Sequence, residues 1–238
     1  MVRLGASLFA MLITVTSAFA GDRAVIDFIG FSDDSRYFAF EEYGIQDGSG
    51  FAYSSIYIVD LSNDTWVVGT PIRIQADDET VSLSQIRAEV QLQAADDIET
   101  LDINVPVEIA ALIGDGTPGS DAQTLRFGVP AYTPGDVSGD YELQLSSFAA
   151  KAASPCQEWF GIDPLGYELS ISDNGNERLL HRDATLPRSR GCPMAYRLYG
   201  VVLPFQAGSM GDAVGIVSVY PGGFEGPDRR FIAVPLGL

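Results

Sequence analysis

The residue types able to do chemistry gather in three turn-rich stretches. The first, FSDDSRYFAFEEYGIQDGSG at 31–50, sets Asp33, Asp34 and Asp47 in turns on either side of Glu41 and Glu42. Oxygen-bearing side chains grouped this way raise calcium as a ligand, with Asp33, Asp34 and Asp47 as the candidate metal residues. An EF-hand loop needs oxygen ligands at positions one, three and five, glycine at six and a bidentate Glu at twelve. Counted from Asp33, Tyr37 stands at five, Phe38 at six and Gly44 at twelve, so only a nonstandard calcium site is left open. Turn chemistry explains the same residues more simply, because Asp and Ser accept hydrogen bonds from nearby amides and Asp-Gly reverses a chain. Glu41 and Glu42 are sequence neighbours. Adjacent strand residues face opposite ways, so without a bulge the two cannot act on one substrate together, and one of them is expected inward beside Arg36 or another arginine.

The second stretch, LHRDATLPRSRGCP at 180–193, holds His181, the only histidine, with Asp183 two positions on. On a strand the two share a face, and the carboxylate could orient the imidazole. A Ser-His-Asp hydrolase would need His181 as its base, but no Gly-x-Ser-x-Gly elbow is present, and a polar strand contact is the favoured reading. The third stretch, GFEGPDRRFIAVP at 223–235, groups Glu225, Asp228, Arg229 and Arg230 in a turn. With Arg188 and Arg190 of the second stretch, these are the candidate ligand-binding residues, since guanidinium groups clamp carboxylates or sulfated glycans. Their structural alternative, pairing with Asp and Glu to tie loop ends to a sheet, is preferred in so acidic a chain. Residues 31–50, 180–193 and 223–230 are expected to meet in space, because turns gather at one end of a β body.

Cys156 and Cys192 are the only cysteines. In an exported chain they are expected to form one disulfide closing a long loop. Trp159 is expected to pack near it. One histidine and two bridged cysteines exclude an ordinary zinc site. The tyrosines, phenylalanines and tryptophans are assigned mainly to the core, although exposed Tyr and Trp beside acids would also suit a glycan surface.

The elements that must position these residues follow from the rest of the chain. Arg3, the uncharged run from Leu4 to Phe19 and Ala18-Phe19-Ala20 read as a secretory signal over residues 1–20, with residues 21–238 as one exported domain. Periplasmic or secreted placement follows, and no later segment is apolar and long enough for a transmembrane helix. The net charge of −18 repels phosphate backbones, so nucleic acid is excluded as a partner. Residues 24–31, 36–44 and 54–61 read as strands, and strands recur from TLRFGV onward to RFIAVPL. Asn174-Gly175 is the clearest hairpin turn. Leu83, Ile86, Val90, Ala94, Ile98 and Leu101 recur at helical spacing, which predicts one amphipathic helix over about 77–101, led by Asp77, Asp78 and Glu79 at its positive end. The fold class is therefore mainly β: an antiparallel sandwich or barrel-like meander with one helix and one disulfide.

Two resemblances add to this. FSDDSRYFAF followed by IYIVDL is similar to one blade hairpin of TolB-type propellers, but Asp33 and Ser35 replace the usual proline and glycine and the pattern occurs once, so it implies shared turn chemistry only. The stretches 31–50, 180–193 and 223–235 together resemble a bacterial family of predicted secreted proteins, a domain of unknown function. That resemblance implies export and no assigned activity. The expected role is a non-enzymatic module binding an unknown envelope protein or glycan without an obligatory cofactor. The competing classes are a hydrolase acting on envelope glycan through carboxylates and a calcium-stabilised structural protein.

Overall fold

The computed structural model describes residues 21–116, 120–223 and 225–237. The expected export signal at 1–20 lies outside the described residues. In chain order the elements are β1 (Val25–Ser32), β2 (Tyr37–Ile45), β3 (Ala52–Asp60), β4 (Thr65–Trp66), β5 (Ile72–Gln75), α1 (Leu83–Thr100), β6 (Ile103–Val105) and β7 (Val107–Leu112). There follow β8 (Thr124–Pro130), β9 (Val137–Ala149), α2 (Cys156–Phe160), β10 (Leu165–Asp173), β11 (Asn176–Arg182), a 3-10 turn (Arg188–Arg190), β12 (Pro193–Pro204), β13 (Val214–Pro221) and β14 (Arg230–Pro235). The mainly antiparallel β fold expected from the sequence is present.

The strands build three sheets. One runs β4-β3-β2-β1-β6 with β5 also on β3, a second runs β11-β10-β9-β8, and a third runs β14-β13-β12-β7. They stack as layers with the third in the middle. Phe31, Phe38 and Phe40 of the first sheet pack against Val214, Ile216 and Phe231 of the middle one. Leu143, Leu169 and Ile171 of the second pack against Leu198, Val217 and Val219 on its other face. A sheet covered on both sides must be apolar at successive positions, and β13 is buried from Val214 through Val219. In β12, Tyr196 and Leu198 face the second sheet, and so do Val201 and Leu203. The change from even to odd positions is made by a register shift between Leu198 and Gly200, which turns the strand over by one residue.

Helix α1 covers the outer face of the first sheet through Val90 and Ala94, packed on Ala39, Ile56 and Ile58. It is shorter than the predicted 77–101, and its start is set differently. Ser82 and Gln85 form a reciprocal capping box, and no acid occupies the first turn, so Asp77, Asp78 and Glu79 precede the helix and do not cap it. Arg87 latches the helix to β2, donating from Nε to Glu41 Oε1 at 2.9 Å and from Nη2 to Oε2 at 2.8 Å. Asn174 and Gly175 turn the β10–β11 hairpin with φ of 48° and 85°, as a two-residue turn of the mirror-image type requires.

Cys156 and Cys192 are joined, with their Cα atoms 5.5 Å apart. The bond ties α2 to the start of β12. Trp159 does not pack in beside it: its side chain is 62% exposed. The neighbouring Phe160 is the ring of α2 that lies against Gly222.

Candidate functional site

The three sheets present an edge on the same side of the stack: β4 and β5 from the first, β14 from the middle and β11 from the second. Between these edges lies a cavity of about 720 Å³, bordered by the 187–191 turn. Its first wall is the inner face of β2, β3 and β5. Register places Glu42, Ser55 and Arg73 in one row across these strands, with Phe40 opposite Tyr57 and Tyr53 opposite Gln75. Farther along the same face Phe38 and Val59 are apolar and pack in the core shared with the middle sheet.

Among the described residues, five cationic side chains line the cavity: Arg73, Arg188, Arg190, Arg230 and His181. Glu42 and Asp64 are the carboxylates among the lining residues. The cations differ in how they are held. Arg230 is fully engaged, with Nη2 at 2.6 Å from Asp22 Oδ2 and 3.6 Å from Asp228 Oδ2, and Nε 3.6 Å from Glu42 Oε1. Arg190 lies 3.6 Å from Asp183 and over the rings of Tyr167 and Tyr196. His181 also stacks on Tyr167, the ring centres 4.6 Å apart, with Nε2 3.1 Å from Asp183 Oδ1 and Nδ1 3.8 Å from Asp64 Oδ2. Arg73 has no ion pair among the described residues; its one hydrogen bond is to the Tyr57 hydroxyl at 3.4 Å. Arg188 is exposed and has neither an ion pair nor a hydrogen bond from its side chain among the described residues.

Protonation follows from these surroundings. The Asp183 hydrogen bond, helped by Asp64, raises His181 to about 9, so the ring is an imidazolium at neutral pH. Both its nitrogens then carry protons and face carboxylates, leaving no lone pair to accept one. Burial pushes Glu42 up to about 7 against the pull of Arg230 and of the Phe231 amide. That amide donates to Glu42 Oε2 at 2.9 Å, so Glu42 also satisfies an outward N–H of the edge strand β14.

The expected residues divide clearly. Arg188, Arg190 and Arg230 line the cavity; Phe40, Glu42 and Gln46 reach it from 31–50, His181 and the 187–191 turn from 180–193, and, among the described residues of 223–230, Arg230. The meeting point is the flank of the stacked sheets, where edge strands align. Asp228 stands behind Arg230 and accepts from the Asp22 amide at 2.9 Å. Arg229 turns away, donating to the Ala24 carbonyl and pairing with Asp115 at 2.6 Å. Glu225 is exposed and does not line the cavity. The pairing role preferred for the arginines fits Arg229 and Arg230 and does not fit Arg188. The candidate metal residues are not brought together. Asp33 and Asp34 precede the nine-residue strand β2 and Asp47 follows it, a separation of roughly 30 Å for an extended strand. Asp34 instead organises its own turn, accepting from Ser32 Oγ at 2.6 Å and the Arg36 amide at 3.0 Å.

Glu41 and Glu42 point to opposite faces as strand geometry demands, but both are buried, each with its own arginine. Arg73, Trp66, Tyr57 and Asp64 are site residues that sequence reasoning does not single out. The alternation in PIRIQ shows that Arg73 and Gln75 share a face; nothing local links that face to His181.

The family described as "Predicted secreted protein (DUF2259)" matches residues 39–236. The chain belongs to this family. The match contains every cavity-lining residue, from Phe40 to Val234, and the family description specifies secretion without an activity. No curated protein matches the chain. Among the described residues, no helix is long and apolar enough to cross a membrane.

Proposed function

We propose that this secreted-family protein is a non-enzymatic binding module of the cell envelope whose cavity receives an anionic ligand. The observation that carries the reading is that Arg73 and Arg188 line one cavity without an ion-pair partner among the described residues, in a chain of net charge −18. A cation left unpaired in so acidic a protein forgoes an available neutralisation, and a ligand carboxylate or sulfate would supply it. Trp66, 44% exposed, and the ring of Tyr57 add an apolar wall beside the cations.

The competing reading, glycan hydrolysis through carboxylates, draws support from Glu42, a protonatable acid on the wall of a cavity that Asp64 also lines. Against it, the Glu42 side chain is only 2% exposed and its oxygens already face the Phe231 amide and Arg230. His181 cannot serve as a base while its ring is an imidazolium.

A thermal-shift screen against organic polyanions tests the proposal. Anions are expected to raise Tm, and Arg73→Ala with Arg188→Ala should abolish the rise. Anions without effect, or a rise unchanged in the double variant, would contradict binding at this site. Turnover of a chromogenic acidic glycoside, lost in Glu42→Gln, would favour the hydrolase.

A further inference from the structure

We propose that the ligand of this cavity is an acidic saccharide: sugar rings bearing carboxylate or sulfate groups. The inference rests on the anion-binding reading above and narrows it to one chemical class.

Size comes first. A volume of about 720 Å³ is far larger than an inorganic anion fills and falls within the range of organic ligand sites. The wall chemistry is mixed in the way a sugar acid requires. Trp66 meets Tyr57 edge-on at 5.5 Å, and both rings line the cavity beside Arg73, whose guanidinium carbon lies 5.8 Å from the Tyr57 ring centre. An exposed indole offers a flat apolar face to the C–H side of a pyranose ring.

Hydroxyl groups need neutral partners that both donate and accept. Gln46 and Gln75 line the cavity and hydrogen-bond each other, Gln75 Nε2 to Gln46 Oε1 at 2.9 Å and Gln46 Nε2 to Gln75 Oε1 at 3.3 Å. Ser49 Oγ also donates to Gln46 Oε1, at 3.1 Å, so Gln46 keeps a further donor position, and Gln75 keeps both a donor and an acceptor position. The side-chain hydroxyls of Ser55, Thr65 and Ser189 also line the cavity and have no hydrogen-bond partner among the described residues. A bare phosphate or sulfate would use Arg73 and Arg188 and leave these hydroxyls, the amides and the indole idle. A neutral sugar would leave the arginines idle. An acidic saccharide uses all of them.

Calorimetric titration of the purified protein with four probes tests this: trigalacturonate, its methyl ester, galactose 6-sulfate and inorganic sulfate. Trigalacturonate or galactose 6-sulfate is expected to bind, and whichever does identifies the acid group. Esterification should weaken trigalacturonate about tenfold or more, and Trp66→Ala should weaken the acidic sugar by a similar factor while leaving inorganic sulfate unchanged. Trp66→Phe keeps an aromatic wall and should restore most of the affinity, which separates loss of the wall from misfolding. Inorganic sulfate binding as tightly as the sugars, or Trp66→Ala without effect on them, would overturn the saccharide inference and leave the anion site standing. Binding by none of the anions, or equal binding of the ester, would overturn both.

Discussion

Glu42 and His181 are raised into the range around neutral pH and above it, and both act in the same direction. Burial holds Glu42 at about 7, above its ordinary 4.5. Its contribution to stability is therefore complete below pH 4.5 and is lost as pH rises through 7, a change on the order of 3 kcal/mol. His181, raised to about 9 by Asp183 and Asp64, contributes fully below pH 6.5 and loses that contribution as pH rises through 9. Stability measured by urea unfolding should thus decline from about pH 5 to about pH 9.5. Glu42→Gln should flatten the part between pH 4.5 and 7, because Gln keeps an acceptor for the Phe231 amide and has no proton to lose. An unchanged slope in that variant would show that Glu42 titrates normally. Parity makes half of this legible in the sequence, since neighbouring glutamates on a strand must diverge. The burial of both is not legible, because Arg87 and Arg230 are distant in the chain and only packing brings them to β2.

Among the elements, those specified by local sequence are readable. The Asn174-Gly175 hairpin, the strand runs and the 3.6-residue periodicity of α1 each follow from a few adjacent residues. The helix start departs from its expected place because the Ser82–Gln85 capping box, a local signal, outweighs the acids before it. The short strands β6 and β7 are hard to read because Pro106 divides their apolar run. The three-layer stack depends on the middle sheet being covered on both faces, and the stretch AVGIVSVY, apolar apart from Ser218, is the sequence clue to it. The 187–191 turn is the element on which the cavity most depends, since it carries Arg188 and Arg190 and is anchored by the disulfide one residue beyond Gly191. The bond links residues 36 apart, which the chain-entropy relation values at about 4 kcal/mol. Replacing both cysteines by serine should lower the unfolding free energy in urea by about that amount and weaken anion binding together with it. A double variant as stable as the parent would contradict the anchoring role.

At the scale of the whole molecule, charge and shape are arranged in opposition. A surface of net charge −18 repels anions at long range, but that field is screened over about 10 Å in 0.1 M salt. Within the cavity, Arg73 and Arg188 act at contact distance, beside an imidazolium and two further arginines whose charges are already partly neutralised. The stacking of edge strands β4, β5, β11 and β14 is what makes this possible, because it opens a space between layers that are elsewhere sealed by apolar contact. Anion capture by Arg73 and Arg188 is tested by calorimetric titration of trigalacturonate into the parent protein and into the Arg73→Ala, Arg188→Ala double variant at two salt concentrations. One site per chain is expected, weakening as salt rises, with a loss of about tenfold or more in the double variant while its fold stays intact. Equal affinity in the two proteins would contradict it.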